Sequence, residues 1–284
     1  MRFIKNILFD IRNGITKHYM LFLCPLVLTA FLAADCIKNI KAFIEINTGG
    51  NVENSFGDVW MYIYGGMEKY VSSVDNPFKF PIVWTTIFVF AALLVLIYPT
   101  KDMLGIGTHV VVSGGSRGKW WFSKVIWNMA STLIYHAIII CTLILACLMA
   151  GIEIKPGINI NLLQALCEFE SVGDFKMKET LPIAVFFLPI VISVAMNLLQ
   201  MTLTLFINPN YSFIISCSVM ILSAYLMTPF AVYNYAMSLR YSYIYNHGIK
   251  YQYGFVVALA IAVISVIIGY FRFLNYDIIK KDDN

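Results

Sequence analysis

Charge is what this chain has least of. Lys, Arg, Asp and Glu make up 13% of its 284 residues, apolar side chains make up 60%, and the mean hydropathy is +0.75. A soluble globular chain carries about 25% charged residues, so one or two soluble domains are excluded and a single integral membrane domain is expected. Catalytic and metal-binding signatures are missing as well. The four histidines, His18, His109, His136 and His247, are scattered, with no His-Glu-x-x-His and no Gly-x-Ser-x-Gly elbow. The six cysteines have no metal-ligand spacing. Cys24, Cys141, Cys147 and Cys217 fall in apolar runs, where a thiol acts as a small apolar group. Cys36 and Cys167 fall at or beyond one face, where a bridge and two unpaired thiols both stay open. No phosphate loop is present either: in Gly114-Gly115-Ser116-Arg117-Gly118-Lys119, Ser113 stands where Walker A needs its first Gly, and Trp120 follows the Lys. The net charge of +4 is dispersed and supplies no nucleic-acid surface.

What the chain does have is six apolar runs: Tyr19–Ile37, Pro81–Tyr98, Asn128–Ala150, Pro182–Phe206, Tyr211–Ala231 and Tyr253–Phe271. Each is near the ~20 residues that cross ~30 Å of hydrocarbon. The expected fold class is an all-α integral membrane protein: six transmembrane helices over 19–271, an amphipathic interfacial helix over 1–18 and a tail over 272–284. Ala33-Ala34-Asp35-Cys36 is a poor lipoprotein box because Asp35 precedes the cysteine, so the first run is read as a span rather than a signal peptide. Phe3, Ile4, Ile7, Leu8, Ile11 and Ile15 recur at helical spacing, with Lys5, Asn6, Arg12 and Asn13 in other directions, which suits a helix lying on an anionic inner leaflet. With six spans the termini share one side. That side then carries Arg2, Lys5, Arg12, Lys17, Lys101, Arg117, Lys119, Lys124, Arg272, Lys280 and Lys281, eleven of the twenty basic residues on the shorter share of loop. The positive-inside rule puts it in the cytoplasm, with Ser116 inside and Ser171 outside.

The loops are expected to differ in kind. Residues 38–80, with a turn at Thr48–Asn51 and an aromatic run through Phe56, Trp60, Tyr62, Tyr64 and Tyr70, should fold against the outer membrane face. Residues 229–252 are Tyr-rich with only Arg240 and Lys250 as fixed charges, and read as short helices returning to that interface. Ile207–Asn210 is a tight inner turn, and Pro99–Trp127 is a long basic inner loop. In the fourth span Ser193, Asn197, Gln200 and Thr204, spaced 4, 3 and 4, share one face. Such a stripe glues helices together or lines a path. Asn128, Thr132, Tyr135 and Thr142 form a weaker one, beside His136, an ionisable group within the membrane.

This organisation resembles the permease subunits of ABC-2-type exporters. The likeness is carried by FKFPIVW (Phe78–Trp84), YPTKD (Tyr98–Asp102), GSRGKWWFSK (Gly115–Lys124) and the tail FRFLNYDII (Phe271–Ile279). It implies the ABC-2 exporter fold and a chain that is not itself an enzyme. Its partners would be membrane lipid, a second permease subunit, identical or homologous, and two copies of a separate ATPase that holds the ATP and Mg. No cofactor is expected in this chain. By the same resemblance Lys101, Asp102, Arg117, Lys119, Trp120 and Trp121 form an ATPase-coupling loop outside the packed spans. Trp84, Thr85, Phe88, Ser216, Met220 and Ser223 face the partner permease across the translocation path. A peptide or bacteriocin, a lipid-like or a drug-like substrate, and a bacterial plasma-membrane location, are the matching expectations. The competing readings are a membrane-embedded enzyme built on His136 and the span-four stripe, and a channel without ATP coupling.

Overall fold

The structure, a computed structural model, describes residues 2–47, 53–72, 77–103, 116–167 and 180–276. The turn at Thr48–Asn51, His109, Gly114 and Gly115, Ser171 and the tail from residue 277, with Lys280 and Lys281, lie outside the described residues. Among those described the chain is helical: α1 (Arg2–Ile11) runs through a π-helical turn at Arg12–Thr16 into α2 (Tyr19–Ile46), followed by α3 (Phe56–Tyr64), α4 (Ile82–Met103), α5 (Arg117–Ala150), α6 (Ile160–Cys167), α7 (Ile183–Leu203), α8 (Pro209–Tyr225) and α9 (Tyr251–Leu274). The only β pairing among these residues is three isolated bridges, such as Ser55 with Glu153. Five helices, α2, α4, α5, α7 and α9, are long and apolar enough to cross a membrane. All-helical, multi-pass membrane character is thus established. Their bare flanks carry the expected apolar belts, with Val27, Phe31, Leu148, Met149, Val256 and Leu259 among the exposed side chains.

The helices alternate direction between two ends of a bundle. The terminal end holds both described chain ends: Lys124 of α5 pairs with Asp10 of α1, and Arg117 donates to the carbonyls of Leu274 and Tyr276, both at 2.8 Å. At the far end Tyr62 of α3 donates to Asp35 of α2 at 2.7 Å, and the Leu181 N–H reaches Pro156 O at 2.7 Å. The most enclosed span is α7, packed most extensively on α9 and also on α4 and α5.

Local signals set the element ends. Asn208 accepts from Asn210 N at 3.0 Å with Pro209 in the first turn, a standard start for α8. Gly151, at φ 72°, ends α5, and the Ile152 N–H returns to Cys147 O at 2.9 Å. A Cβ at Gly269 would stand 2.0 Å from the Trp121 ring, so glycine there is what lets α5 and α9 meet.

Three expectations need correction. The third long helix starts at Arg117, so residues 117–127 belong to a 34-residue helix rather than a loop. The fifth run is helical only to Tyr225, and 226–231 turn away. Neither the aromatic run of α3 nor residues 233–241 lie on the outer surface. Val59, Trp60, Met61, Ile63 and Tyr64 are buried, as are Tyr233 through Tyr241, inserted between the far halves of the spans.

One residue accounts for both of the last two. Arg240 is fully buried and donates to Met67 O at 2.9 Å, Glu68 O at 3.0 Å, Ser223 O at 2.5 Å, Ala224 O at 2.7 Å and Asn234 Oδ1. Ser223 and Ala224 are in the last turn of α8, where carbonyls have no helical partner and the dipole favours a cation. Asn234 Nδ2 takes up Leu226 O at 2.7 Å and Thr228 O at 3.0 Å. The helix therefore ends where side-chain donors replace its own N–H groups. Arg240→Leu should strand these acceptors and lower stability by ~3 kcal/mol or more, since each buried group left unpaired costs ~1–3 kcal/mol. Arg240→Lys should fail to rescue, because an ammonium lacks the planar fork. Thermal unfolding of the detergent-solubilised chain measures both.

Candidate functional site

The strongest constellation of charge lies at the terminal end, and most of its members were not singled out from sequence. Lys124, 1% exposed, pairs with Asp10 and with Asp102 at 2.6 Å. Asp10 also accepts from Ser123 and, at 2.8 Å, from the Tyr98 hydroxyl. The Lys124 ammonium stands 4.7 Å from the Tyr98 ring centroid and 5.0 Å from that of Trp120. The cluster ties α1, α4 and α5 together at the two roots of the 104–115 segment. Asp10 could have been noticed as the one acid in an amphipathic helix otherwise apolar and basic, and Lys124 as a cation inside a helical apolar run.

Of the six residues assigned to ATPase coupling, the structure divides roles. Lys101 and Lys119 are exposed and Asp102 is held by Lys124. Arg117 supports the end of α9 through the Leu274 and Tyr276 carbonyls. Trp120 and Trp121 are 6% and 1% exposed: Trp120 stacks on Phe273 with centroids 4.5 Å apart, and the Trp121 indole N–H donates to Val266 O at 3.0 Å. The two Trp rings are therefore spent on packing α5 to α9, which corrects the expectation that they project from a loop.

The span-four stripe is turned inward. Asn197 Nδ2 donates to Thr132 Oγ1 at 2.9 Å, Asn128 Nδ2 to Asn197 O at 3.3 Å, and Gln200 Nε2 to Ala92 O at 2.9 Å. Thr204 returns to Met201 O at 2.7 Å within its own helix, and the Ser193 hydroxyl has no partner among the described residues. Gln200 Oε1, Asn128 Oδ1 and His136 Nε2 are likewise unpartnered. The stripe thus joins α7 to α4 and α5. His136 is fully buried, with Nδ1 2.7 Å from the Tyr64 hydroxyl and rings of Phe88 and Tyr135 beside it. Among the described residues these rings and the Tyr64 hydroxyl enclose the imidazole.

The six residues expected to face a partner permease are mostly enclosed within this chain. Trp84 donates to Ala236 O at 3.0 Å, and Trp84, Phe88, Met220 and Ser223 are buried where α4 meets α8 and residues 232–241. Ser216 and Ser223 bond back to Ser212 O at 3.2 Å and Val219 O at 2.7 Å. Thr85 is half-buried, and its hydroxyl is unpartnered among the described residues. Cys36 and Cys167 are both free thiols, so the open bridge is not made.

At the far end Asp58, 1% exposed, accepts from Ser55 N at 2.9 Å and Asn159 N at 2.7 Å, joining the start of α3 to the chain before α6. A cavity of about 620 Å³ opens beside it, lined by Ser55, Glu53, Glu153, Lys155 and Asn159 among others. Among the described residues no cluster of His, Cys, Asp and Glu could hold a metal ion. Comparison with protein-family models, with curated proteins and with solved structures finds no match to this chain.

Two outcomes are expected from these contacts. Lys124→Met should cost ~3–5 kcal/mol, because it leaves Asp10 and Asp102 buried without their cation. Adding Asp10→Asn and Asp102→Asn should recover much of that loss, read by thermal unfolding and by the protease sensitivity of α1. Burial raises the Asp58 pKa to about 6, against the lowering by its backbone hydrogen bonds. A carboxyl whose folded pKa exceeds its unfolded value binds more protons when folded, so its contribution to stability falls as pH rises from about 4 to 6. The unfolding midpoint should follow that slope in the native chain, and Asp58→Asn should flatten it.

Proposed function

We propose that this chain is the transmembrane permease subunit of an ABC-2-type exporter, with six membrane crossings and both termini in the cytoplasm of a bacterial cell. The observation that carries the reading is the shared terminal end, together with the ion cluster that fastens the amphipathic helix to both roots of the 104–115 segment, whose flanks carry Lys101, Arg117 and Lys119. Parity supports six crossings. Termini on one side require an even number, and α8 added to the five long helices gives six. Its 17 residues span ~25 Å, and it runs from the turn beside Gln200, where Ser212 donates to Gln200 O at 2.8 Å, to the far-end Arg240. The sequence segments flanking this inner loop, which resemble those of ABC-2 permeases, and the lack of a phosphate loop in the chain support a separate ATPase as the source of energy.

In this reading a second permease, identical or homologous, completes the channel, and two ATPase subunits sit under the terminal end. Their ATP and Mg provide the driving force, and this chain holds no cofactor. Lys101 and Lys119, the exposed cations at the two loop roots, contact the ATPase. The Asp10–Lys124–Asp102 cluster passes motion of the loop to α1, α4 and α5. Export of a peptide or bacteriocin, or of a lipid-like or drug-like molecule, is the transport class that goes with this architecture.

The test is mild detergent extraction of the tagged chain from its native cells. An ATPase with a Walker A motif should copurify, and its absence at full permease yield sinks the proposal. Lys101→Glu with Lys119→Glu should reduce ATPase recovery at least tenfold while the unfolding midpoint stays within 1–2 °C, in keeping with the small stability effect of exposed charges. Trp121→Ala should instead lower stability by ~3–5 kcal/mol. Cysteine at position 116 should be labelled only after membrane permeabilisation, and labelling in intact cells would reverse the orientation.

A further inference from the structure

We infer that the cleft between α1, the start of α5 and the end of α9 is a binding groove for one anionic phospholipid, with its headgroup phosphate on Lys119 and an acyl chain running down the α5–α9 seam. The groove has a volume of about 380 Å³ and is lined by Phe3, Ser116, Gly118, Lys119, Phe122 and Tyr270. Its walls are aromatic and its mouth carries a cation and a hydroxyl, with no acidic side chain among the described residues of the lining.

The floor is set by sequence. Gly118 has no side chain, and a Cβ there would stand 2.8 Å from the Tyr270 ring, so the ring lies directly against the α5 backbone. Phe122 is one turn on, with its ring centroid 5.6 Å from that of Tyr270. From this pair two apolar rows continue toward the far end. Ile126, Met129 and Leu133 extend the Phe122 face of α5, and Ile267 and Val263 extend the Tyr270 face of α9, all of them exposed. The seam is open to hydrocarbon along its length, so an acyl chain fits it without leaving the bilayer.

The mouth supplies charge of the complementary sign. Lys119 is exposed and has no ion-pair partner among the described residues, whereas the neighbouring Arg117 is engaged with the carbonyls closing α9. Lys5 is exposed on α1, the helix that contributes Phe3 to the lining. A lysine at this depth reaches headgroup level with its stem over apolar surface, and each one contributes modestly to attraction for an anionic leaflet. A soluble phosphate would use the mouth and leave the aromatic seam exposed to lipid anyway. The continuity of the groove with the lipid-facing rows is why the occupant is a phospholipid.

The proposal requires only that the chain is a membrane protein, and its test uses the full-length permease alone, in which no ATPase competes with the lipid for Lys119. Native mass spectrometry in detergent, after exchange into mixed micelles of phosphatidylglycerol and phosphatidylcholine, counts retained lipids. One phosphatidylglycerol should be retained in preference to phosphatidylcholine. Lys119→Gln should weaken that retention about fivefold, the effect of removing one lysine at an anionic surface. Lys119→Arg should retain it, and Lys101→Gln, at an exposed lysine outside the groove, should leave it unchanged. Brominated phosphatidylglycerol should quench tryptophan fluorescence through the neighbouring Trp120 and Trp121, and lose that quenching in Lys119→Gln. Equal retention of the two lipids overturns the inference, as does a Lys119→Gln chain that binds like the native one. Full displacement by millimolar glycerol phosphate would assign the mouth to a soluble phosphate and overturn it as well.

Discussion

Inside hydrocarbon a carbonyl that lacks a donor cannot borrow one from water, and much of this structure follows from where those donors come from. Helix C-termini are the worst case, because four carbonyls are left over at each. Three arginines answer three of them. Arg240 serves the last turn of α8, Arg117 serves the end of α9, and Arg272 donates to Leu205 O at 3.2 Å just after α7. In each case the cation also meets the negative end of a helix dipole. A guanidinium is suited to this work because its donors are fixed in a plane and it is less strongly hydrated than an ammonium. These arginines are thus part of the framework, and only secondarily markers of topology.

The far end shows what such a framework permits. Residues 233–241 are short 3₁₀ turns at span depth, a backbone form that is tolerated in a membrane only where protein encloses it. Arg240 and Asn234 enclose it by feeding carbonyls from both sides, and α3 completes the wall with Trp60, Tyr64 and their neighbours. The composition of these segments alone does not separate the interior from the outer interface. Tyr and Trp suit both, since each has an apolar body and a polar tip that needs one partner. Tyr64 finds His136 and Tyr241 finds Tyr235 O at 2.5 Å, and those contacts decide the matter.

Length and apolarity made the helical class, the amphipathic start and five of the long helices legible from sequence. Those signals are local, and the structure keeps them. The shared face of Ser193, Asn197 and Gln200 was also legible, but the sequence left open whether it packs on other helices or lines a path, and the hydrogen bonds of Asn197 and Gln200 show packing within this chain. The end of α8 was not, since the apolar run continues to Ala231 and the interruption comes from Arg240, fifteen residues after Tyr225. Trp120 and Trp121 misled for a related reason: a tryptophan beside basic residues looks the same in an interfacial loop as in a helix packed on Gly269. The ion cluster was hidden because Asp10, Asp102 and Lys124 are far apart in sequence, and nothing local links them.

The two ends of the bundle therefore differ in kind. At the far end the connections are mostly hydrogen bonds that involve backbone groups, two of them accepted by Asp58, and close aromatic packing around one guanidinium, with the Asp35 carboxylate taking the Tyr62 hydroxyl. At the terminal end the connection between α1, α4 and α5 is carried by two carboxylates and one ammonium, with hydroxyls of Ser123 and Tyr98 in support. Backbone hydrogen bonds fix one geometry, whereas an ammonium on a flexible four-carbon stem can exchange carboxylate partners without losing its charge compensation. Lys124 can thus shift between Asp10 and Asp102 while remaining paired. A bundle built this way is better able to accommodate displacement at its charged end than at its hydrogen-bonded end, an asymmetry that suits the transport role proposed for this chain.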